Sequence, residues 1–220
     1  VLFPEGRDIP ERREILKTDG GVKDAECCFA DGRRLFHENV RIDSKTRAIA
    51  NAVVWLRPDL ESPRATFLPE KIRSKGEPRV HDIDVRDCQF TPRITVACAG
   101  DRLRFKNPAP IATNVHYDAS DKGPGRDFGG FNVLLAASIG ERTTPGKLIA
   151  GTRPDMFNSS IHTWMRGYVW AFDHTYAAVT DENGKFTIPD APLGRWRLVI
   201  WHEEFGFSGG TYAGSDRHPG

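Results

Sequence analysis

Ile94-Thr95-Val96-Ala97-Cys98-Ala99-Gly100-Asp101-Arg102-Leu103-Arg104-Phe105-Lys106-Asn107 decides the fold class. Both runs alternate along their length as a half-buried strand requires, and Ala99-Gly100-Asp101 turns between them. Leu103 and Phe105 point to one face, with Arg102, Arg104 and Lys106 on the other. Upstream, His81–Phe90 repeats the pattern, with Val80, Ile83 and Val85 set against Asp82, Asp84 and Arg86. Further out, Ala50–Leu56 predicts a central strand, and Thr113–Tyr117, Phe131–Ala136, Gly167–Phe172, Ala177–Thr180, Lys185–Ile188 and Arg195–Trp201 predict more. Asn183-Gly184 marks a hairpin whose two central residues take positive φ. The charged stretch 1–25 reads as an arm with a short helix near Glu11–Lys17. Segments 58–79 and 119–130 read as surface connections rich in proline and glycine. Short strands with frequent turns argue for an all-β sandwich.

The 220 residues can bury a sizeable core. Charge is balanced, 31 Lys and Arg against 30 Asp and Glu, so no global field favours nucleic acid or an anionic membrane. No run approaches the roughly 20 apolar residues of a transmembrane span. A start at Val1 fits a removed leader, or simply the point where this sequence begins. The four cysteines, Cys27, Cys28, Cys88 and Cys98, lack paired zinc-site spacing. Their even number points to one or two disulfides and an oxidising compartment, periplasmic or extracellular. Adjacent Cys27 and Cys28 bond more naturally to separate partners than to each other, which makes Cys88 and Cys98 their mates. Four reduced thiols is the plain alternative.

One loop carries chemistry: Asn158-Ser159-Ser160-Ile161-His162-Thr163-Trp164-Met165. A type 1 copper site takes a thiolate, two imidazoles and a weak axial thioether. His162 and Met165 stand at the spacing of the second imidazole and the thioether, but Ser159 occupies the thiolate position.

Around that loop the chain resembles a bacterial family of secreted cupredoxin-like proteins, the plastocyanin-like or methylamine-utilisation-like group. The resemblance runs over about residues 22–206. Its pieces include Ala50–Leu56, Asp87-Cys88-Gln89-Phe90-Thr91-Pro92, Ala99-Gly100-Asp101, Asn107-Pro108-Ala109-Pro110, Asn114-Val115-His116, His162–Tyr168, Gly184–Pro189 and Trp201-His202-Glu203. It implies a Greek-key β-sandwich with long loops and an extended N-terminal arm: residues 1–25 as the arm, 26–206 as the sandwich and 207–220 as a tail. It also implies a histidine directly before Asn114-Val115, where this chain has Thr113. Arg93 marks a further departure, in the position that follows Pro92. Two ligand positions, Thr113 and Ser159, are therefore degenerate, and only His162 and Met165 match. His116 lies three residues from Thr113, on the opposite face of an extended strand.

No hydrolase elbow, P-loop lysine or His-Glu-x-x-His motif is present. His174 and His202 are a formal ligand pair, but structural histidines are the commoner case. The expectation is therefore a non-catalytic subunit, not an enzyme, with no cofactor. It would act in structure or assembly through a protein partner or self-association, for example within a larger redox complex or filament. The competing reading is a copper-binding electron-transfer or copper-handling protein using His162, Met165 and His116.

Overall fold

Alternation becomes strands throughout the computed structural model, which describes residues 1–58, 78–119, 129–192 and 196–208. The strands begin with β1 (Glu14–Ile15), β2 (Leu35–Phe36), β3 (Val53–Pro58), β4 (Val80–Arg86), β5 (Gln89–Thr91), β6 (Ile94–Cys98) and β7 (Arg102–Asn107). They continue with β8 (Thr113–Asp118), β9 (Gly130–Leu135), β10 (Gly140–Thr143), β11 (Asp155–Asn158) and β12 (Arg166–Phe172). The last three are β13 (Ala177–Val179), β14 (Trp196–His202) and β15 (Gly206–Ser208). One helical turn, α1 (Ala25–Cys28), lies between β1 and β2. The helix expected near Glu11–Lys17 is instead partly β1, which pairs with β2. Most of segments 58–79 and 119–130 and of the tail 207–220 lies outside the described residues, as does Arg195.

The expected single sandwich over 26–206 resolves into two compact units built from discontinuous pieces. One comprises residues 1–12, 38–73 and 174–220, and the other 13–37 and 74–173. The physical reason is pairing: β3 takes its partners from the far end of the chain, β13 and β14, rather than from the strands that follow it. The N-terminal arm also reaches the cores, for Phe3 and Ile15 are both buried.

The first unit holds the sheet β13-β3-β14-β15. β3 is central in it, and its Val53 and Val54 are fully buried. The turn at Asp181–Lys185 departs from the expected geometry. Gly184 alone takes positive φ (68°) and Asn183 does not, while Asp181 Oδ1 accepts from the amides of Asn183 and Lys185. The stretch after it, Lys185–Ile188, is not a strand.

The second unit is a two-sheet sandwich. Its sheets are β10-β7-β4-β5 and β6-β12-β11-β8-β9, and the pairs β4·β7 and β6·β12 are parallel. Their inner faces meet in one core: Phe90 and Phe105 of one sheet pack edge-on against Phe157 of the other, with ring centroids 5.3 and 5.1 Å apart. Ala99-Gly100-Asp101 is a crossing between sheets rather than a hairpin, since β6 and β7 lie in different ones. The run 81–90 is in turn a hairpin, bent at Asp87 and Cys88, both of positive φ. Gly167 is required at the start of β12, where a Cβ would stand 2.4 Å from the Phe157 ring.

Asp101 shows why that crossing holds. Its buried carboxylate accepts from the amides of Arg79 (2.9 Å) and Cys98 (3.0 Å) and pairs with His81 Nε2 (2.9 Å). Burial by itself would raise its pKa, but these three donors hold it below the ordinary value. On the outer face, Asp82 bonds Arg104 and Lys106, which lower its pKa to about 2. Both carboxyls have depressed folded pKa values, so their stabilisation is complete above the unfolded range near ~3.9 and is lost as pH falls through the folded values. We expect the denaturant midpoint to decline from about pH 4 downward. Asp101→Ala should cost on the order of 2–3 kcal/mol at neutral pH, because it orphans buried donors. Half-exposed Asp82 should matter far less when replaced. Urea titrations of both variants at pH 7 and pH 3 measure these effects.

Candidate functional site

The hairpin β11–β12 closes at Asn158↔Arg166 and leaves residues 159–165 as its loop. The loop is tied shut by Ser159 N–H donating to Met165 O (3.0 Å) and Met165 N–H donating to His162 O (2.8 Å). β8 lies beside β11, so Thr113, at the start of β8, faces the loop. Thr113, His162 and Met165 are fully buried, and Ser159 is nearly so.

Three of the four sequence-predicted positions meet directly. Thr113 Oγ1 lies 3.0 Å from Ser159 Oγ and 2.9 Å from His162 Nδ1. The other ring nitrogen, His162 Nε2, bonds Asp24 Oδ2 at 2.9 Å. The proton positions follow from the inventory of donors. Ser159 Oγ donates to Asn114 Oδ1 (2.9 Å) and accepts from the amides of Ile161 (3.1 Å) and His162 (3.0 Å). A carboxylate can only accept, so His162 Nε2 carries a hydrogen toward Asp24, and with the Ser159 hydrogen directed to Asn114 the single Thr113 hydrogen serves either Ser159 Oγ or His162 Nδ1. Both ring nitrogens of His162 thus have a protein partner. Its ring also meets Trp164 edge-on, with centroids 5.4 Å apart.

Two residues that the sequence reading did not single out organise this cluster. Asn114 is its hub: Oδ1 accepts from Ser159 Oγ and from the amides of Ser160 and Ile161, while Nδ2 donates to Asn132 and Ser160. Asp24 precedes α1, and its carbonyl accepts from the amides of Cys27 and Cys28. An aspartate before a short helical run is a capping signal, but nothing in it points to a histidine 138 residues away. We expect Asn114→Ala to cost about 2–4 kcal/mol and to speed amide exchange at Ser160 and Ile161, since three donors lose one acceptor. Thermal melts and hydrogen exchange check this.

The remaining positions fall elsewhere. His116 is exposed on β8, whereas Thr113 is buried. His174 and His202, both in the first unit, are buried, and each accepts a backbone amide at Nδ1, from Tyr176 and Glu204 respectively. Cys28 bonds Cys88, while Cys27 and Cys98 are thiols, so one bridge forms. That bridge bears on the site, because Trp164 Nε1 donates to Cys88 O (2.9 Å) and Cys28 closes the turn that carries Asp24.

The donor set does not fit type 1 copper. It offers one imidazole, engaged at both nitrogens, two hydroxyls and a thioether position, but no thiolate and no second imidazole. Among the described residues no group of three or more His, Cys, Asp and Glu side chains is placed to hold a metal ion. The order carboxylate, imidazole, hydroxyl follows that of a nucleophilic relay. Here, however, both hydroxyls are closed off from solvent and the Ser159 proton is committed to Asn114.

The class that fold and cluster define is an all-β protein with a two-sheet sandwich enclosing a carboxylate–imidazole–hydroxyl network. No family model matches the chain. No curated protein matches it either. Solved structures similar in fold include a Cu(I) form of an amicyanin variant, at 14% identity and a TM-score of 0.34, covering 42% of this chain and 81% of that one. A reduced amicyanin variant at pH 4 covers 54% and 97% at 15% identity and a TM-score of 0.34. Amicyanin from Paracoccus versutus covers 45% and 85% at 15% identity and a TM-score of 0.33. Likeness this distant carries no argument of its own, and the sandwich assignment rests on the strand pairings and the shared core. Among the described residues no helix is long and apolar enough to cross a membrane.

Proposed function

We propose that the second unit is a cupredoxin-like sandwich in which a hydrogen-bonded polar cluster stands where copper ligands would be. On this reading the protein is a non-catalytic, exported subunit that works by binding protein partners or itself. The observation that carries it is the direct bonding of Thr113, Ser159 and His162 to one another, sealed by Asp24. The side chains of Thr113, Ser159 and His162 are all engaged by protein partners, so metal binding there would have to break buried hydrogen bonds as well as find ligands. The disulfide agrees with an oxidising compartment. Exposed Leu134, in β9, and Ile139, in the turn before β10, agree with a surface that meets a partner.

Titration of the purified protein with Cu(II), and with Cu(I) under reducing conditions, tests this reading. The expected result is no stoichiometric tight binding and no intense visible band. A visible band with one copper per chain would replace it with the copper-handling reading through His162 and Met165.

A further inference from the structure

Among the described residues the three larger sheets end in β5, β6, β9, β10, β13 and β15. An edge strand carries a row of backbone N–H and C=O groups that recruit another strand unless the edge is short, charged, bulged or covered. β5, β13 and β15 are three residues long, and β10, of four, carries Glu141 and Arg142. β6 is covered, for Ile94, Thr95, Ala97 and Cys98 are all buried. β9 has none of these protections. It is the longest of these edges, at six residues, and no lysine, arginine, aspartate, glutamate, histidine or proline occurs from 129 to 140. Its register with β8 runs unbroken from Thr113↔Leu135 to Asp118↔Gly130, so no bulge turns the edge aside. Gly130, Asn132 and Leu134 are exposed along it, Leu134 at 63%.

In a chain that is 28% charged, so long an uncharged edge suits a surface that meets another strand rather than water. We infer that β9 is a dimerisation strand, which pairs antiparallel with β9 of a second copy about a twofold axis. This rests on the reading of the protein as a subunit that binds itself or another protein. The edge's own chemistry selects the second copy. Antiparallel pairing of identical strands is self-complementary, each bond made by one copy being returned by the other. Neither copy brings a charge to the seam, and a net charge of +1 leaves no long-range repulsion between them. Directly opposed residues share a face, so the core-packed Phe131 and Val133 of both copies stay on one side and both Leu134 side chains on the other. Because β6 is covered at the far end of the sheet, pairing stops at two copies and does not run on into a fibre.

Sedimentation equilibrium of the full chain from about 1 µM to about 0.5 mM, with hydrogen exchange at both ends of that range, tests the pairing. The expected result is a monomer–dimer equilibrium in which the amides of residues 131–135 that face away from β8 gain protection as the dimer forms. Leu134→Lys, which sets like charges beside the seam, should weaken the dimer at least about tenfold and leave the melting curve of the dilute monomer unchanged. A dimer that is as tight after Leu134→Lys, or that leaves those amides unprotected, overturns β9 as the seam while the self-binding reading stands. A chain that stays monomeric throughout overturns the pairing and leaves the edge to a strand of another protein. Copper uptake, titrated separately, decides the degenerate-site reading and is moved by neither result.

Discussion

Thr113→His/Ser159→Cys should yield a protein that binds a single Cu(II) with an intense visible band. The backbone is already arranged for it. Thr113 Oγ1 lies 3.0 Å from Ser159 Oγ and 2.9 Å from His162 Nδ1, so side chains replaced at 113 and 159 would project toward the same small volume as the histidine. The pair restores the thiolate and second imidazole that a blue site needs, and Met165 is the thioether of the same loop. Asp24 would keep its bond to Nε2, leaving Nδ1 for the metal, the arrangement in which an outer carboxylate orients a ligating imidazole. Asn114 would still accept from the amides of Ser160 and Ile161 and hold the loop in place. Either single substitution should lack the band, because each leaves the set one strong ligand short. Visible absorption and calorimetric stoichiometry of the double and both single variants measure the effect. A folded double variant, with its disulfide intact, that takes no more copper than the parent would refute the degenerate-site reading.

The sequence made some of this legible for a plain physical reason. Leu103 and Phe105 alternate with charged residues because one face of β7 is core and the other meets water. Ser159, His162 and Met165 could be grouped because spacing within one loop is a local property, whereas Thr113 joined them only through the family resemblance. Asp24 could not, since its contact with His162 is made by tertiary packing and leaves no mark on the residues around it. Asn114 was visible only as part of a sequence pattern, and its role as hub depends on loop amides turning toward it. The division into two units was hidden for a related reason: β3 and β14 are ordinary β-prone runs whose mutual pairing cannot be read from either alone. β10 and β11, four residues each, are too short for alternation to register.

Cysteine pairing was half legible, and it sets up the largest stability effect. Cys28 and Cys88 close a separation of 60 residues, and both are buried in the core of the sandwich unit. Loop-closure entropy for a span of that length corresponds to about 4 kcal/mol, so Cys28→Ala/Cys88→Ala should lower the unfolding free energy by about that amount and the melting temperature by roughly 10 °C. The loss should not be uniform. Residues 13–37 are held to the sandwich by Ile15, Phe29 and Leu35 and by the Asp24–His162 bond, with the disulfide as their one cross-link among the described residues. Amides that report on α1, those of Cys27, Cys28 and Phe29, should therefore lose protection from exchange well before those of β12. His162, deprived of a fixed Asp24, should then become accessible to an acylating reagent that leaves the parent protein untouched. Treating the parent with a dithiol reductant under mildly denaturing conditions should reproduce all three effects, since it breaks the same bond without changing the side-chain volume. A double variant within about 1 kcal/mol of the parent, with α1 still protected, would mean that the apolar contacts of residues 13–37 hold the Asp24–His162 seal without the disulfide.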